Sequence, residues 1–529
     1  MKTRLPSFLF LIQSTHLAAA NKMRICIAAA TLLAAVPLQL TSAGSSEPGS
    51  LSPQLIHEIQ SNFKMDQQTR VKHNAITNND INSLALNRKI VQGTDGHFSH
   101  RIDFKGITNQ KSSGRCWLFA GLNTMRPRVI HEKNLPQFEF STAYLQFWDK
   151  MEKSNLFLEY MIEMRETNYL DREWELVHKW TMSDGGWWNF VVDLVEKYGV
   201  VPKDVMPETQ SSENTRIMNR VLDRKLRNDA VKIRAMHKDG ATLIQLREHK
   251  RKALAQIYRF LAINLGQPPT EFEWRYEIKM KGEKDSKDIE TAAEKSAGTK
   301  SESNKKQTPK PAIDITARQQ LSPRVKYTPK TFYKQFVNVP LGDYVCISND
   351  PTNAYNKHFQ YKRSRNMFAS ADMDFVNLPI DALKTAAMKS VLANEPVWFA
   401  ADVGKDQSSK LGIMAHQLYD YDPLFDFDTT ISKADRVRFR SGGSNHAMVF
   451  MGVDVHNGKP LKWLVENSWG TDRGDKGKWT LYNSWFNEHV YQVIINKRHL
   501  SKKTLKIFKE KPAVLPAWYP GASTSRTAD

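Results

Sequence analysis

Cysteine is scarce: three in 529 residues, Cys26, Cys116 and Cys346, which excludes a disulfide framework in a domain large enough to need no staple. Cys116 and Cys346 read as free thiols, and Cys26 lies in a segment expected to be removed. Long apolar runs are scarce too. The run "ICIAAATLLAAVPLQL" at residues 25–40 is interrupted by Pro37 and falls short of the about 20 apolar residues that a spanning helix requires, so no membrane span is expected. Acidic residues are in deficit, 56 against 76 Lys and Arg, which gives a formal charge of +20 and favours acidic partners without bearing on the fold. Aromatic residues are absent from 281–320, where Lys, Glu, Ser, Thr and Ala prevail. Such a stretch cannot bury enough apolar surface to offset its ordering entropy, so a disordered surface insertion is expected there. No internal repeat is visible.

What remains is 40% hydrophobic, enough for a large core and more than one structural unit. Met23-Arg24, the apolar run and the small residues Thr41-Ser42-Ala43 have the order of a secretory signal over residues 1–43, with Met23 as an alternative start. Export to the periplasm or medium is the expectation. Removing 1–43 takes away Lys2, Arg4, Lys22, Arg24 and no acid, so the charge falls from +20 to +16. Residues 44–75 read as a polar N-terminal segment, and order looks weak from Ile76 until about residue 90. From Cys116 to Gly199 apolar residues recur at three- and four-residue steps, which predicts helices. Two basic amphipathic helices follow, ending at Gly266-Gln-Pro-Pro. Their charges read as solvated faces, with weak nucleic-acid binding as the other reading. From Val397 onward, short alternating runs such as "VWFAADVG", "AMVFMGVDV" and "YQVIINK" predict strands.

Within this frame one stretch stands out, "NQKSSGRCWLFA" at residues 109–120. Cys116 opens a predicted helix with Leu118, Phe119, Leu122 and Met125 on its buried face, closed by Pro127. At a helix N-terminus the dipole and the free N–H groups favour thiolate over thiol, which makes a nucleophile. His446, at the entry to a strand in "GGSNHAMVFMGVD", can pair with the thiolate and protonate a leaving amine. Asn467, in "KWLVENSWG", can orient the imidazole, and Trp469 can shield that bond from water.

These residues, in the order Cys, His, Asn, resemble the papain-like cysteine peptidases, and within them the bleomycin hydrolase (aminopeptidase C) branch. The likeness runs from Phe104 to Pro520 and is carried also by "FEFSTAYLQFWDK", "VEKYGVVPK", "TPKTFYKQFV" and "LPAWYP". It implies an α+β fold of the papain-like two-lobe type, a helical lobe plus a β lobe, with a large helical insertion at about 205–280 in a peptidase domain spanning 76–520. The insertion accounts for the wide gap between Cys116 and His446. The resemblance further implies that Cys116 is the nucleophile, His446 the acid/base, Asn467 the orienting residue and Gln110 the oxyanion donor. Gly185 and Gly186 of "SDGGWW" become substrate-binding candidates. So does Asp529, whose terminal carboxylate, at the end of the tail 521–529, would lie in the cleft and select substrates with a free N-terminus. A homohexamer with a basic inner channel is implied, as is a cytoplasmic location as the alternative to export. No cofactor and no metal site is expected. A nucleic-acid-binding protein and a Cys-His acyltransferase are the rival readings.

Overall fold

The computed structural model describes residue 47 and residues 49–279 and 320–522. The predicted signal at 1–43, all but the last residue of the insertion 281–320, and Asp529 lie outside the described residues. The chain divides at Asn74 into a short N-terminal unit and a large unit beginning at Ala75. The first carries α1 (Pro53–Asn62) and enters α2 (Gln67–Asn78). The expectation of weak order after Ile76 is corrected: the polar segment already carries α1, and α2 is followed by α3 (Ile81–Ala85) and α4 (Arg88–Gln92). The reason is local. Ser52, Asp80 and Asn87 each accept a hydrogen bond from a first-turn N–H group of α1, α3 and α4, which supplies the partners that such short helices otherwise lack.

In the large unit, α5 (Cys116–Glu132) is buried over most of its circumference. The predicted stop at Pro127 is also corrected, because the helix continues past it by a further turn. Proline removes a single i→i−4 bond. Packing of the neighbours Arg126, Pro127, Val129 and Ile130, all buried, outweighs that loss. Helices α6 (Thr142–Glu163), α7 (Arg172–Lys179) and α8 (Trp188–Tyr198) follow, α6 and α7 capped by Ser141 and Asp171. After α9 (Gln210–Glu213) come the long α10 (Arg216–Lys238) and α11 (Leu243–Leu265). The buried stripe of α10, Met218, Leu222, Leu226, Ala230 and Ile233, has helical spacing. Among the described residues no helix is long and apolar enough to cross a membrane.

The strands begin with β1 (His100–Arg101), followed by two small pairs, β2 (Phe272–Trp274) with β5 (Val325–Tyr327) and β3 (Glu277–Ile278) with β4 (Gln320–Leu321). The rest are β6 (Tyr344–Ser348), β7 (Lys357–Tyr361), β8 (Asp374–Asn377), β9 (Val397–Ala401), β10 (Gln407–Ser408), β11 (Ile413–Met414), β12 (His446–His456), β13 (Lys459–Glu466), β14 (Lys478–Tyr482), β15 (Val490–Asn496) and β16 (Ala513–Leu515). Among the described residues twelve strands form one sheet in the order β10-β11-β14-β13-β12-β9-β15-β6-β8-β7-β16, with β1 added beside β12. The central strands separate two cores. Ala447, Val449 and Met451 of β12, with Trp398 and Ala400 of β9, face the core that holds α5. Met448 and Phe450, with Val397 and Phe399, face the other, under the helices Ile380–Leu392 and Asn483–His489. A bulge between Phe450 and Gly452 then reverses the alternation and brings Val453 to that second face. A strand buried on both sides reads as a continuous apolar run, as "AMVFMGV" does.

Two glycines end helices in a backbone region that side chains avoid: Gly199 after α8, with φ +74°, and Gly266 after α11, with φ +86°. A Cβ on Gly266 would meet nothing within 4 Å, whereas one on Gly199 would lie 2.3 Å from the Pro329 carbonyl. Gly266→Ala is expected to cost about 1–3 kcal/mol of backbone strain. Gly199→Ala should cost about 1–3 kcal/mol more through the clash, as measured by urea unfolding.

Candidate active site

Cys116 is the first residue of α5 and is buried. The turn before it is pinned at two points. Arg115, itself buried, donates to Gln146 at 3.0 Å and pairs with Glu208 at 2.9 Å. The Gly114 N–H donates to the Asp184 carboxylate at 3.1 Å. Asp184 also accepts from Lys150 (2.6 Å), Asn219 (2.8 Å) and the Thr215 hydroxyl. Although burial works against its charge, these cationic and polar donors hold its carboxyl well below the usual range. Its backbone carbonyl accepts from the Trp117 indole at 2.7 Å. The glycine loop is thereby tied to the start of α5.

Strand β12 delivers His446 to the same place. The Cys116 thiol and the His446 imidazole meet in the lining of one cleft, close enough for each to shift the other. Burial pushes the thiol up, but the His446 charge and hydrogen bond, with the N–H groups of Ala447 and Trp117, bring it below its ordinary value. Burial pushes His446 down, and Cys116 and Asn467 together raise it above its ordinary value. The two shifts are opposite in sign, as a thiolate–imidazolium pair requires. His446 Nε2 lies 2.8 Å from Asn467 Oδ1, which leaves Nδ1 as the ring nitrogen for the sulfur. Asn467, just past the end of β13, is buried, and its Oδ1 also accepts from the Ser468 N–H at 2.7 Å. The Trp469 ring covers the imidazole with centroids 4.7 Å apart.

A cleft of about 240 Å³ lies over this pair, lined by Cys116, Gly186, Trp187, Ser444, His446 and Gln492 among others. Gly186 is a close-approach glycine: a Cβ there would sit 2.4 Å from the Trp117 ring. Gly185 faces a neighbouring cleft of about 520 Å³ with Leu156, Phe157 and Tyr160. Its carbonyl accepts from Lys153 at 2.7 Å and its N–H donates to the Ser183 hydroxyl at 3.0 Å. Burial, with Lys150 adding to it, lowers Lys153 to about 8 against the pull of Asp149. Gln110 is buried beside Asn467. Its Oε1 accepts from the Ser468 hydroxyl at 2.7 Å, and its Nε2 donates to the Ser113 carbonyl at 2.6 Å.

The sequence reading missed the supports: Asp184, Lys153, Ser468 and the pair Arg126–Glu466. Arg126, on α5, meets Glu466, next to Asn467, at 2.5 Å, both fully buried. Asn123 donates to the same carboxylate oxygen at 3.1 Å.

Three outcomes follow. Cys346 is pushed far up by burial and by Asp374, so iodoacetamide at pH 6, where a free thiol is less than about 1% ionised, should label Cys116 and spare Cys346 in a peptide map. Asn467→Ala, which removes one of the bonds raising His446, should weaken the imidazolium that supports the thiolate and slow the labelling of Cys116 at pH 6. Burial pushes Glu466 up to about 7, with Arg126 opposing. A carboxyl raised in the fold contributes stability that is full below its ordinary 4.5 and is lost as pH rises through about 7. Because Arg126 opposes that rise, Arg126→Met pushes Glu466 up further and leaves it either charged and unpaired or forced to take up a proton at pH 8; the cost should be about 3–5 kcal/mol at pH 8 and clearly less at pH 5, by urea unfolding.

The sequence matches the Peptidase C1-like family over residues 50–297 and 318–522. It is 33% identical over 477 residues to aminopeptidase C of Streptococcus thermophilus, covering 90% of this chain and 99% of that protein. It is 34% identical over 468 residues to bleomycin hydrolase of Homo sapiens, covering 86% and 94%. The fold is similar to the crystal structure of PepW from Lactobacillus rhamnosis HN001, with a TM-score of 0.79, 34% identity, and coverage of 89% of this chain and 98% of that one.

Proposed function

The chain belongs to the Peptidase C1-like family and is a papain-like cysteine peptidase, and on that premise we propose that it is an aminopeptidase working through Cys116, His446 and Asn467. The observation that supports this most is the meeting of Cys116 and His446, with opposite pKa shifts, beneath one cleft and beside Asn467. The Cys116 thiolate attacks the carbonyl carbon of the first peptide bond, and the carbonyl electrons move to oxygen. The Cys116 N–H and the Gln110 amide stabilise that oxyanion. His446 passes its proton to the amine as the C–N bond breaks, leaving a thioester on Cys116. It then takes a proton from water, whose oxygen attacks the thioester and releases the thiolate. Asn467 holds the imidazole in register throughout, and Trp469 keeps water from the bond between them.

In the same reading the fold is the papain-like two-lobe arrangement, with α10 and α11 in a helical insertion. Gly185 and Gly186 border the peptide, and the Asp529 carboxylate meets the substrate's free α-amino group. The chain assembles as a homohexamer whose basic surface lines an inner channel, and it is exported by residues 1–43.

The expected outcomes separate these roles. Cys116→Ala should abolish hydrolysis of aminoacyl fluorogenic substrates with circular dichroism unchanged; retained turnover overturns the nucleophile. His446→Ala should lower kcat by about 10²–10⁴-fold, and Asn467→Ala by less, because the amide exchanges no proton. The full chain should cleave unblocked over N-blocked peptides, and truncation after Pro520 should reduce that preference. An unchanged preference assigns the selection to other residues.

A further inference from the structure

Three side chains outside the cleft meet from separate parts of the chain. Asp406 stands in the turn after β9, His416 lies just past β11, and His489 is the last residue of the helix Asn483–His489, directly before β15. Asp406 Oδ2 is 3.4 Å from His416 Nδ1 and 3.6 Å from His489 Nε2. The three ligand atoms all lie within 4.8 Å of one another. Neither contact is a hydrogen bond: His416 Nδ1 and His489 Nε2 both lack a hydrogen-bond partner, and a charge-assisted N–H···O bond would measure about 2.7–2.9 Å. The spacing has another reading. Ligands about 2.0–2.1 Å from a tetrahedral metal ion stand about 3.3–3.4 Å apart, close to both distances.

His489 supplies an independent observation. It is only 3% exposed, and neither of its ring nitrogens has a hydrogen-bond partner. Leaving a buried polar group unmatched costs about 1–3 kcal/mol, so an imidazole in this state, aimed at a carboxylate, is a ligand atom in want of an acceptor for its lone pair. We propose that Asp406 Oδ2, His416 Nδ1 and His489 Nε2 bind one divalent transition-metal ion of the zinc class, with water completing the sphere. Two imidazoles and one carboxylate suit zinc, cobalt or nickel, and do not suit calcium or magnesium, which take oxygen sets.

The location gives the ion a mechanical consequence. Ala401, the last residue of β9, pairs with His446 of β12 on one side and with Val490 of β15 on the other. The Asp402 N–H donates to the His489 carbonyl at 2.9 Å. An ion bound here ties the β9 turn, the β11 exit and the start of β15 together at the sheet end that carries His446. No motif spacing announces it, because His489 lies 73 residues after His416.

The test uses full-length protein whose Cys116 has been alkylated, since a thiolate beside an imidazole is itself a metal trap. Chelator-stripped protein is dialysed against ZnCl2 and the retained metal is counted by mass spectrometry; CoCl2 in place of zinc reports geometry through its visible absorption. One zinc per chain, four-coordinate cobalt bands and a raised Tm with zinc are expected. Affinity should fall about 10–100-fold in Asp406→Asn and His416→Ala, whose side chains are partly exposed and can be changed without disturbing the core. His489→Ala should lose the ion. Failure of the alkylated wild type to retain zinc, or zinc affinity and Tm shift unchanged in His416→Ala, overturns the proposal.

Discussion

The buried pair between Arg126 and Glu466 is the constraint on which the site's geometry depends. Arg126 lies on the helix that Cys116 opens, and Glu466 precedes Asn467, so one 2.5 Å contact fixes the helix against the strand that ends beside Asn467. A charge pair is a costly fastener here, since both groups leave water and the attraction must offset their desolvation. An apolar contact of equal size could slide along either element. The pair cannot, because displacement would separate two charges in a medium that does not screen them. Register between α5 and β13 is thereby held by a directional interaction.

A second set of directional contacts works from the other side. Asp184 gathers Lys150, Thr215, Asn219 and the Gly114 N–H, and its carbonyl takes the Trp117 indole. Lys153 holds the carbonyls of Ser183 and Gly185. The loop that borders the cleft is therefore anchored to α6, to α10 and to the turn before Cys116. The Cys116–His446 couple then sits between two anchored elements, buried enough to strengthen the attraction within it. Each partner's shift needs the other, which is why burial, acting alone, would have driven both towards their neutral forms.

Much of the architecture was legible from periodicity. The 3.6-residue pattern located α6, α10 and α11, the glycines after α8 and α11 marked their ends, and the short runs of β9, β12 and β15 announced strands, whose burial on both faces only the fold revealed. Pro127 misled because local backbone cost was weighed without the packing of Arg126 and Val129 around it. The short helices near the N-terminus were missed because their apolar content is low and their signal lies in the caps. Within the candidate site, Cys116, His446 and Asn467 stood out by type and setting, and the fold brings the three together. Their supports did not stand out, since an aspartate or a lysine in a sequence gives no hint of its distant partner.

The sequence by itself determined the local choices: where the long helices run, which faces are apolar, and that one cysteine would lie at a helix N-terminus. These follow from interactions within a few residues, which composition and spacing record directly. Tertiary structure alone decided which charges meet, which imidazole remains unpartnered and how far the thiol and the imidazole shift. Those quantities depend on distance and burial between residues hundreds of positions apart, and neither exists until the sheet and the helices have closed around them.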